Sequence, residues 1–177
     1  MIQKAIRFAI RAHAGQCRKG TTLPYIEHPM HVGVLLAQAG VRDSVVIAGL
    51  LHDTLEDTEY TEEDISSRFG EEVLELVKAA SEPERDLPWR ERKLHTIDFL
   101  GAAPRDVKLI ALCDKYSNIV AIESDYKHMG EGLWERFNAG YKEQRWYYKS
   151  LCKALEELDE EKIYQEFSEA VERVFGE

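Results

Sequence analysis

Cysteine is scarce in this chain and forms no pattern. Only Cys17, Cys113 and Cys152 occur, an odd number without C-x-x-C spacing. That excludes a disulfide scaffold and a thiolate zinc knot, and it suits a reducing compartment. Glycine and proline are also few, 11 and 5 in 177 residues, so collagen-like and low-complexity classes fall away. No apolar run approaches the roughly 20 residues of a membrane-spanning helix. The opening stretch carries Lys4, Arg7 and Arg11 where a secretory signal would be apolar. Positive charge is in the minority, with 23 Lys plus Arg against 33 Asp plus Glu, a formal net charge of −10. This balance speaks against general attraction to nucleic acid or an anionic membrane, and a phosphorylated ligand would need local basic groups or a metal. The expectation is a cytoplasmic globular protein with no nucleic-acid or membrane partner; its oligomeric state stays open.

What is present is helical periodicity. Ile2, Ala5, Ile6, Ala9, Ile10 and His13 share one stripe, and Val32, Leu35, Leu36 and Ala39 another. The predicted fold class is all-α, with about eight to ten helices. Asp43-Ser44 reads as a cap for the apolar run through Leu51, and Thr61-Glu62-Glu63-Asp64 as a capping box. Gly70 separates two short helices, and Pro104 fits the first turn of a long one. Gly130–Gly132 interrupts the helical pattern beyond it, and two more helices close the chain. Gly15–Glu27 and Ser81–Pro88 read as loops. With 44% apolar and 32% charged residues over 177 positions, one domain spanning 1–177 is expected.

The segment His52-Asp53-Thr54-Leu55-Glu56-Asp57 puts four ionisable groups at the end of a strongly apolar helix. An amphipathic helix gains little from a His-Asp pair beside buried leucines, whereas imidazole and carboxylate together are good ligands for a divalent transition metal. Glu56 and Asp57 come one turn later and are placed for acid/base work. His28 stands before Pro29 at a helix start, and Asp114 sits in the apolar run Leu109–Cys113. A carboxylate buried there needs a cation, and Asn118 at i+4 shares its face. His52 and Asp53 are therefore metal candidates, and Asp114 calls for a metal or another cation as partner. His13, on an apolar stripe, reads as a core histidine, and His31, His95 and His128 as helix-face or surface residues. Trp134, Phe137, Trp146, Tyr147 and Tyr148 read as packing residues rather than a stacking platform.

The order His28, His52-Asp53, Asp114 resembles the HD phosphohydrolase superfamily. The flanking words, from Ala12-His13-Ala14-Gly15-Gln16-Cys17-Arg18-Lys19-Gly20 through Pro24-Tyr25-Ile26-Glu27-His28-Pro29 to Asp114-Lys115-Tyr116-Ser117-Asn118, are similar to its RelA/SpoT-type hydrolases, and the stand-alone small hydrolases are the nearer likeness. The resemblance implies an HD-type helical bundle whose metal and nucleotide motifs lie within 13–118, with C-terminal helices after 130. It implies one divalent ion, most often Mn²⁺, held by His28, His52, Asp53 and Asp114, and removal of the 3′-pyrophosphate of guanosine tetra- or pentaphosphate. Glu56 and Asp57 would then position or deprotonate the attacking water, while Arg18, Lys19, Tyr25 and Asn118 would contact the nucleotide.

The chain departs from the bifunctional enzymes after Asn118, where Ile119-Val120-Ala121-Ile122 replaces an arginine-containing stretch. Lys93, Lys115, Arg136 and Arg145 are candidate substitutes, since a phosphate contact needs a cation rather than one fixed position. Two alternatives stay open: the same machinery acting on another ribose-phosphorylated nucleotide such as NADPH, and a sensor that binds the nucleotide without turnover. The Glu56-Asp57 pair weighs against the sensor, because binding alone needs no water-activating group.

Overall fold

Asp43–Leu51 is so apolar that the helix it forms is buried on every side from Val45 to Leu51, the property of a helix at the centre of a core. In the computed structural model, which describes residues 1–82 and 86–176, the other helices assemble around it. They are α1 (Ile2–Ala12), α2 (Glu27–Gln38), α3 (Asp43–Leu51), α4 (Thr54–Asp57), α5 (Glu62–Phe69), α6 (Glu71–Ala80), α7 (Trp89–Ala102), α8 (Arg105–Met129), α9 (Tyr141–Ala154) and α10 (Lys162–Phe175). Short 3-10 helices at Gly130–Arg136 and Glu156–Leu158 complete the described residues. Among these residues the one β-type pairing is an isolated bridge between Cys17 and Pro24, which pins the loop after α1. The all-α expectation holds.

Helices α1, α2, α6 and α8 pack directly on α3, and α10 lies along α8. Leu36, Leu51, Leu109 and Leu112 are all fully buried, each contributing about 1.5–3 kcal/mol by leaving water. The α2–α3 contact is close because it has a glycine on both sides. A Cβ at Gly33 would lie 2.5 Å from Leu50 Cδ2, and one at Gly49 would lie 2.1 Å from Leu36 Cδ1. This approach brings the first turn of α2 beside the C-terminal end of α3, and both face the middle of α8.

Local signals are borne out unevenly. Thr61 caps α5 as read: its hydroxyl accepts from the Asp64 N–H and the Asp64 side chain accepts from the Thr61 N–H. Gly70, at φ +92°, separates α5 from α6. Asp43 and Ser44, by contrast, lie inside the first turn of α3 behind Arg42, and Ser44 Oγ donates to Glu72 instead. Pro104 is the residue before α8 rather than in its first turn. Of the loop expected at 81–88, Pro83, Glu84 and Arg85 lie outside the described residues.

Candidate metal centre and its cavity

His52 closes α3, and its Nδ1 lies 2.8 Å from the carbonyl oxygen of Gly49. A carbonyl only accepts, so Nδ1 carries the proton and the Nε2 lone pair points inward. That nitrogen is buried without a hydrogen-bond partner and stands 3.1 Å from Asp53 Oδ2 and 3.8 Å from Asp114 Oδ1. A lone pair facing carboxylate oxygens at this range requires a positive charge between them. Burial lowers the His52 pKa, but Asp53 and Asp114 outweigh it and raise the value well above that of a free imidazole: without an ion the two carboxylates draw a proton onto this ring, and a bound cation would take the place of that positive charge.

His28, in the first turn of α2, presents Nε2 at 3.1 Å from Asp114 Oδ1 and 3.6 Å from Asp53 Oδ2. Its pKa is lowered, chiefly by burial, which favours the neutral, ligating form. Asp53 follows His52 directly. Burial raises its pKa, but His52 and then His28 outweigh this and hold the carboxyl below its usual range. Asp114 is likewise held well below normal against the effect of burial, with Lys115 the largest opposing influence. Lys115 Nζ donates to Asp114 Oδ2 at 2.6 Å and Asn118 Nδ2 to Oδ1 at 2.7 Å. One donor atom each from His28, His52 and Asp114 falls within 4.8 Å of the others, and two imidazoles with carboxylate oxygen form a donor set suited to a divalent transition metal. The residues therefore fit such an ion, and the lone pair of His52 is the observation that asks for one.

The centre forms the floor of a chamber of about 170 Å³ that Tyr25, Glu56, Glu82, Lys93 and Asn118 help to wall. Glu56 is held there by the Glu82 N–H, which donates to its Oε1 at 2.7 Å. Asp57 is not brought into the chamber. It is exposed and lines an outer groove with Arg11, Gln16 and Tyr60, which Glu56 also borders. In a helix of four residues, side chains next to each other diverge by about 100°, so the pair cannot face one site equally. Tyr25 is also differently employed than as a wall alone, because its hydroxyl donates to Asp53 Oδ2.

Tyr25, Lys93, Lys115, Asn118 and Tyr147 line both the chamber and a second cavity of about 330 Å³, so the two adjoin across these five side chains. Arg18, Lys19 and Arg136 add positive charge to this second cavity, while Phe137, Tyr147 and Tyr148 add aromatic surface. In an acidic protein this is the local basic cluster that an anion requires. Arg18 donates to Asn118 Oδ1 at 3.0 Å and lies 6.0 Å over the Tyr25 ring. Lys19 reaches Asn138 and Arg136 is fixed by Asp125. Of the candidate substitute cations, Lys93, Lys115 and Arg136 line the cavity, whereas Arg145 is turned to the Phe175 carbonyl. Tyr147 and Tyr148 serve both readings at once, being almost fully buried and also lining the cavity.

Three supporting residues escaped the sequence reading. Glu82 orients Glu56 through its backbone and pairs with Lys93 and Arg92 through its side chain. Gln16 ties His13 Nδ1 to the Asp57 carbonyl, which makes His13 the hydrogen-bonded core histidine expected. Ser117 lies between His28 and His31, so the helix-face residue His31 has a buried polar partner that the sequence did not announce. A polar residue one position before Asn118 on the face of Asp114 was the available signal.

Comparison with known proteins gives this geometry its relatives. Over 120 residues the chain is 40% identical to the guanosine-3′,5′-bis(diphosphate) 3′-pyrophosphohydrolase of Aquifex aeolicus, covering 67% of this chain and 17% of that much longer protein. Over 122 residues it is 37% identical to the enzyme of that name, MESH1, from Xenopus tropicalis, covering 67% of this chain and 68% of the relative. A solved structure described as a metazoan ortholog of SpoT that hydrolyzes ppGpp superposes with a TM-score of 0.78 at 26% identity, covering 96% of this chain and 92% of that one. The HD domain family matches residues 5–131, a span that contains the loop after α1, the His-Asp step at the end of α3 and Asp114 on α8. The chain belongs to the HD domain family.

Proposed function

We propose that the chain is a metal-dependent hydrolase that removes the 3′-pyrophosphate of guanosine tetra- or pentaphosphate, giving GDP or GTP and pyrophosphate. The observation that carries this reading is adjacency: a chamber lined by His28, Asp53 and Asp114 shares five wall residues with a basic, aromatic cavity of about 330 Å³. A nucleotide placed there has its base and sugar among Arg18, Tyr148 and Phe137, and its phosphates beside the chamber. The names of the relatives support the substrate, and the mixed nitrogen and oxygen donors support a divalent transition metal, Mn²⁺ being the ion that the family resemblance implies. The reading takes 1–177 as one hydrolase unit. Three free cysteines support the cytoplasm as its compartment.

His28, His52, Asp53 and Asp114 would hold the ion. When bound, a divalent cation supplies Lewis-acid stabilisation of charge on phosphate oxygens and makes a nearby water more acidic. Glu56, kept in place by the Glu82 N–H, accepts the proton of the attacking water. A bond forms from water oxygen to phosphorus as the bond from phosphorus to the ribose 3′-oxygen breaks, and that oxygen leaves as a hydroxyl after taking up a proton. Asp57 acts from the outer groove. Lys93 and Lys115, at the junction of the two spaces, bind phosphate oxygens through charge-assisted hydrogen bonds. Arg18 stacks on the base, and Lys19 contributes charge at the mouth. Asn118, bonded to both Arg18 and Asp114, ties the nucleotide cavity to the metal floor.

A specific observation keeps NADPH in view as a second substrate. Ala121 and Ile122, from the stretch that departs from the bifunctional enzymes, line the cavity, so this part of its wall is apolar and offers a phosphate no cation. The deciding experiment follows guanosine tetraphosphate by phosphorus NMR with metal-stripped protein, with and without Mn²⁺. Pyrophosphate and GDP formed in equal amounts only with Mn²⁺ is the expected result. Release of single phosphate, or no reaction with metal bound while NADPH is dephosphorylated, overturns the substrate assignment. Nucleotide binding without any product overturns the enzyme.

A further inference from the structure

Both histidines of the metal centre need their inner nitrogen free of a proton, but the fold fixes them by different means. His52 faces the Gly49 carbonyl, an obligate acceptor, and its tautomer is settled by that contact. His28 Nδ1 lies instead 2.9 Å from Ser117 Oγ. A hydroxyl both donates and accepts, so this contact alone does not decide which nitrogen of His28 carries the proton. The same oxygen lies 3.0 Å from His31 Nδ1. Ser117 is 3% exposed and His28 is 1% exposed, whereas His31 is half-buried.

We infer that Ser117 and His31 are positioning residues of the metal centre, joined in a relay in which one hydroxyl proton links the tautomers of His28 and His31. The inference rests on the metal reading of His28, His52, Asp53 and Asp114. The relay has two arrangements. In the first, the Ser117 hydroxyl donates to His28 Nδ1 and accepts from His31 Nδ1–H. His28 Nε2 then carries a proton directed at Asp114 Oδ1, 3.1 Å away, and cannot ligate. In the second, His28 Nδ1–H donates to Ser117 Oγ, Ser117 donates to His31 Nδ1, and His28 Nε2 presents its lone pair to the chamber.

Both arrangements hold the same number of protons on the three groups. Passing from the first to the second, His31 Nδ1 gives its proton to Ser117 and Ser117 gives its own to His28 Nδ1. His28 Nε2 releases its proton to solvent as the ion arrives, and His31 Nε2 takes one from solvent. Metal occupancy is thereby written into the tautomer of a histidine that does not touch the metal. A hydrogen-bonded outer partner of this kind typically changes metal affinity by about 10- to 100-fold when it is removed.

The test uses full-length, ¹⁵N-labelled protein with Zn²⁺ as a diamagnetic probe, and long-range proton–nitrogen NMR to read which ring nitrogens are protonated. The expected result is that His31 changes from Nδ1–H to Nε2–H as Zn²⁺ saturates the site, in step with His28 changing from Nε2–H to Nδ1–H. In Ser117→Ala the His31 change should be lost and Zn²⁺ and Mn²⁺ affinity, by equilibrium dialysis, should fall about 10- to 100-fold; Ser117→Thr, which keeps the hydroxyl, should restore most of it. An unchanged His31 tautomer with Zn²⁺ bound overturns the relay, as does Ser117→Ala binding within twofold of the unsubstituted protein. If Ser117→Ala does not fold, His31→Ala carries the affinity arm, and binding within twofold there overturns the part assigned to His31. Absence of Zn²⁺ and Mn²⁺ binding by the unsubstituted protein overturns the metal centre itself, a failure distinct from that of the relay.

Discussion

At the scale of single residues, Glu56 and Asp57 show how far adjacency in sequence is from equivalence in space. Glu56 borders the chamber and accepts from the Glu82 N–H, while Asp57 faces the outer groove. Glu56→Gln keeps an acceptor for that N–H and removes the proposed base. It should bind Mn²⁺ and nucleotide normally while single-turnover hydrolysis falls by about 10²- to 10⁴-fold, the usual share of a general base. Asp57→Asn should lose less than Glu56→Gln in the same assay; equal losses would place both carboxylates on the reacting water. Tyr25 supplies a second contrast, because its hydroxyl donates to Asp53. Tyr25→Phe should weaken Mn²⁺ binding about tenfold, as removal of an outer-sphere partner does; a raised KM with metal affinity untouched would return Tyr25 to the nucleotide wall. The identity of the candidate ligands was legible because His and Asp buried beside leucines are costly unless a cation joins them. The contacts of Ser117, Gln16 and Glu82 were not, since a hydroxyl, an amide or a backbone N–H takes its role from a partner brought near by the fold. The Ser117–His28 contact, for example, spans 89 positions.

At the scale of elements, periodicity carried the reading and local end-signals carried it only in part. The stripes of α1 and α2 and the uniformly apolar α3 were readable because apolar spacing reports which side of a helix leaves water. The Thr61 box was readable because both of its partners lie within one turn. Asp43 and Ser44 misled because the helix begins one residue earlier, with Arg42 at the cap position and its guanidinium paired with Glu72 and Asp106 of other helices. The closeness of α2 and α3 was unreadable, since a helix-interior glycine announces only a propensity cost until its neighbour is known. Gly49 joins packing to chemistry: it admits Leu36 and its carbonyl orients His52. In Gly49→Ala a new Cβ 2.1 Å from Leu36 Cδ1 forces that buried side chain or the helix to move. The expected cost is about 1–3 kcal/mol in urea unfolding, the range for overpacking a core. The His52 ring should tilt with the helix, so Mn²⁺ affinity should fall too. A variant of full stability would mean that Leu36 has an alternative rotamer at no cost.

At the scale of the molecule, the metal centre is a place where the fold concentrates charge that it cannot neutralise with protein groups alone. Asp114 has Lys115 and Asn118, and Asp53 has Tyr25, but the inner nitrogens of His28 and His52 converge on the same carboxylate oxygens. These side chains come from α2, the end of α3 and α8, the helices whose mutual contacts build the core, so an ion there would link three elements at once. Binding to the native state but not to the unfolded chain stabilises by about 2.7 kcal/mol at a concentration one hundred times Kd. For a chain of this size each kcal/mol moves Tm by about 2–4 °C, so saturating Mn²⁺ should raise Tm by about 5–11 °C over metal-stripped protein. Asp53→Ala removes one proposed ligand and a charge that favours cation binding, and its melting temperature should then respond little to the same Mn²⁺ concentration. An equal rise in Asp53→Ala would take Asp53 out of the ligand set, because His28, His52 and Asp114 keep donor atoms within 4.8 Å of one another without it.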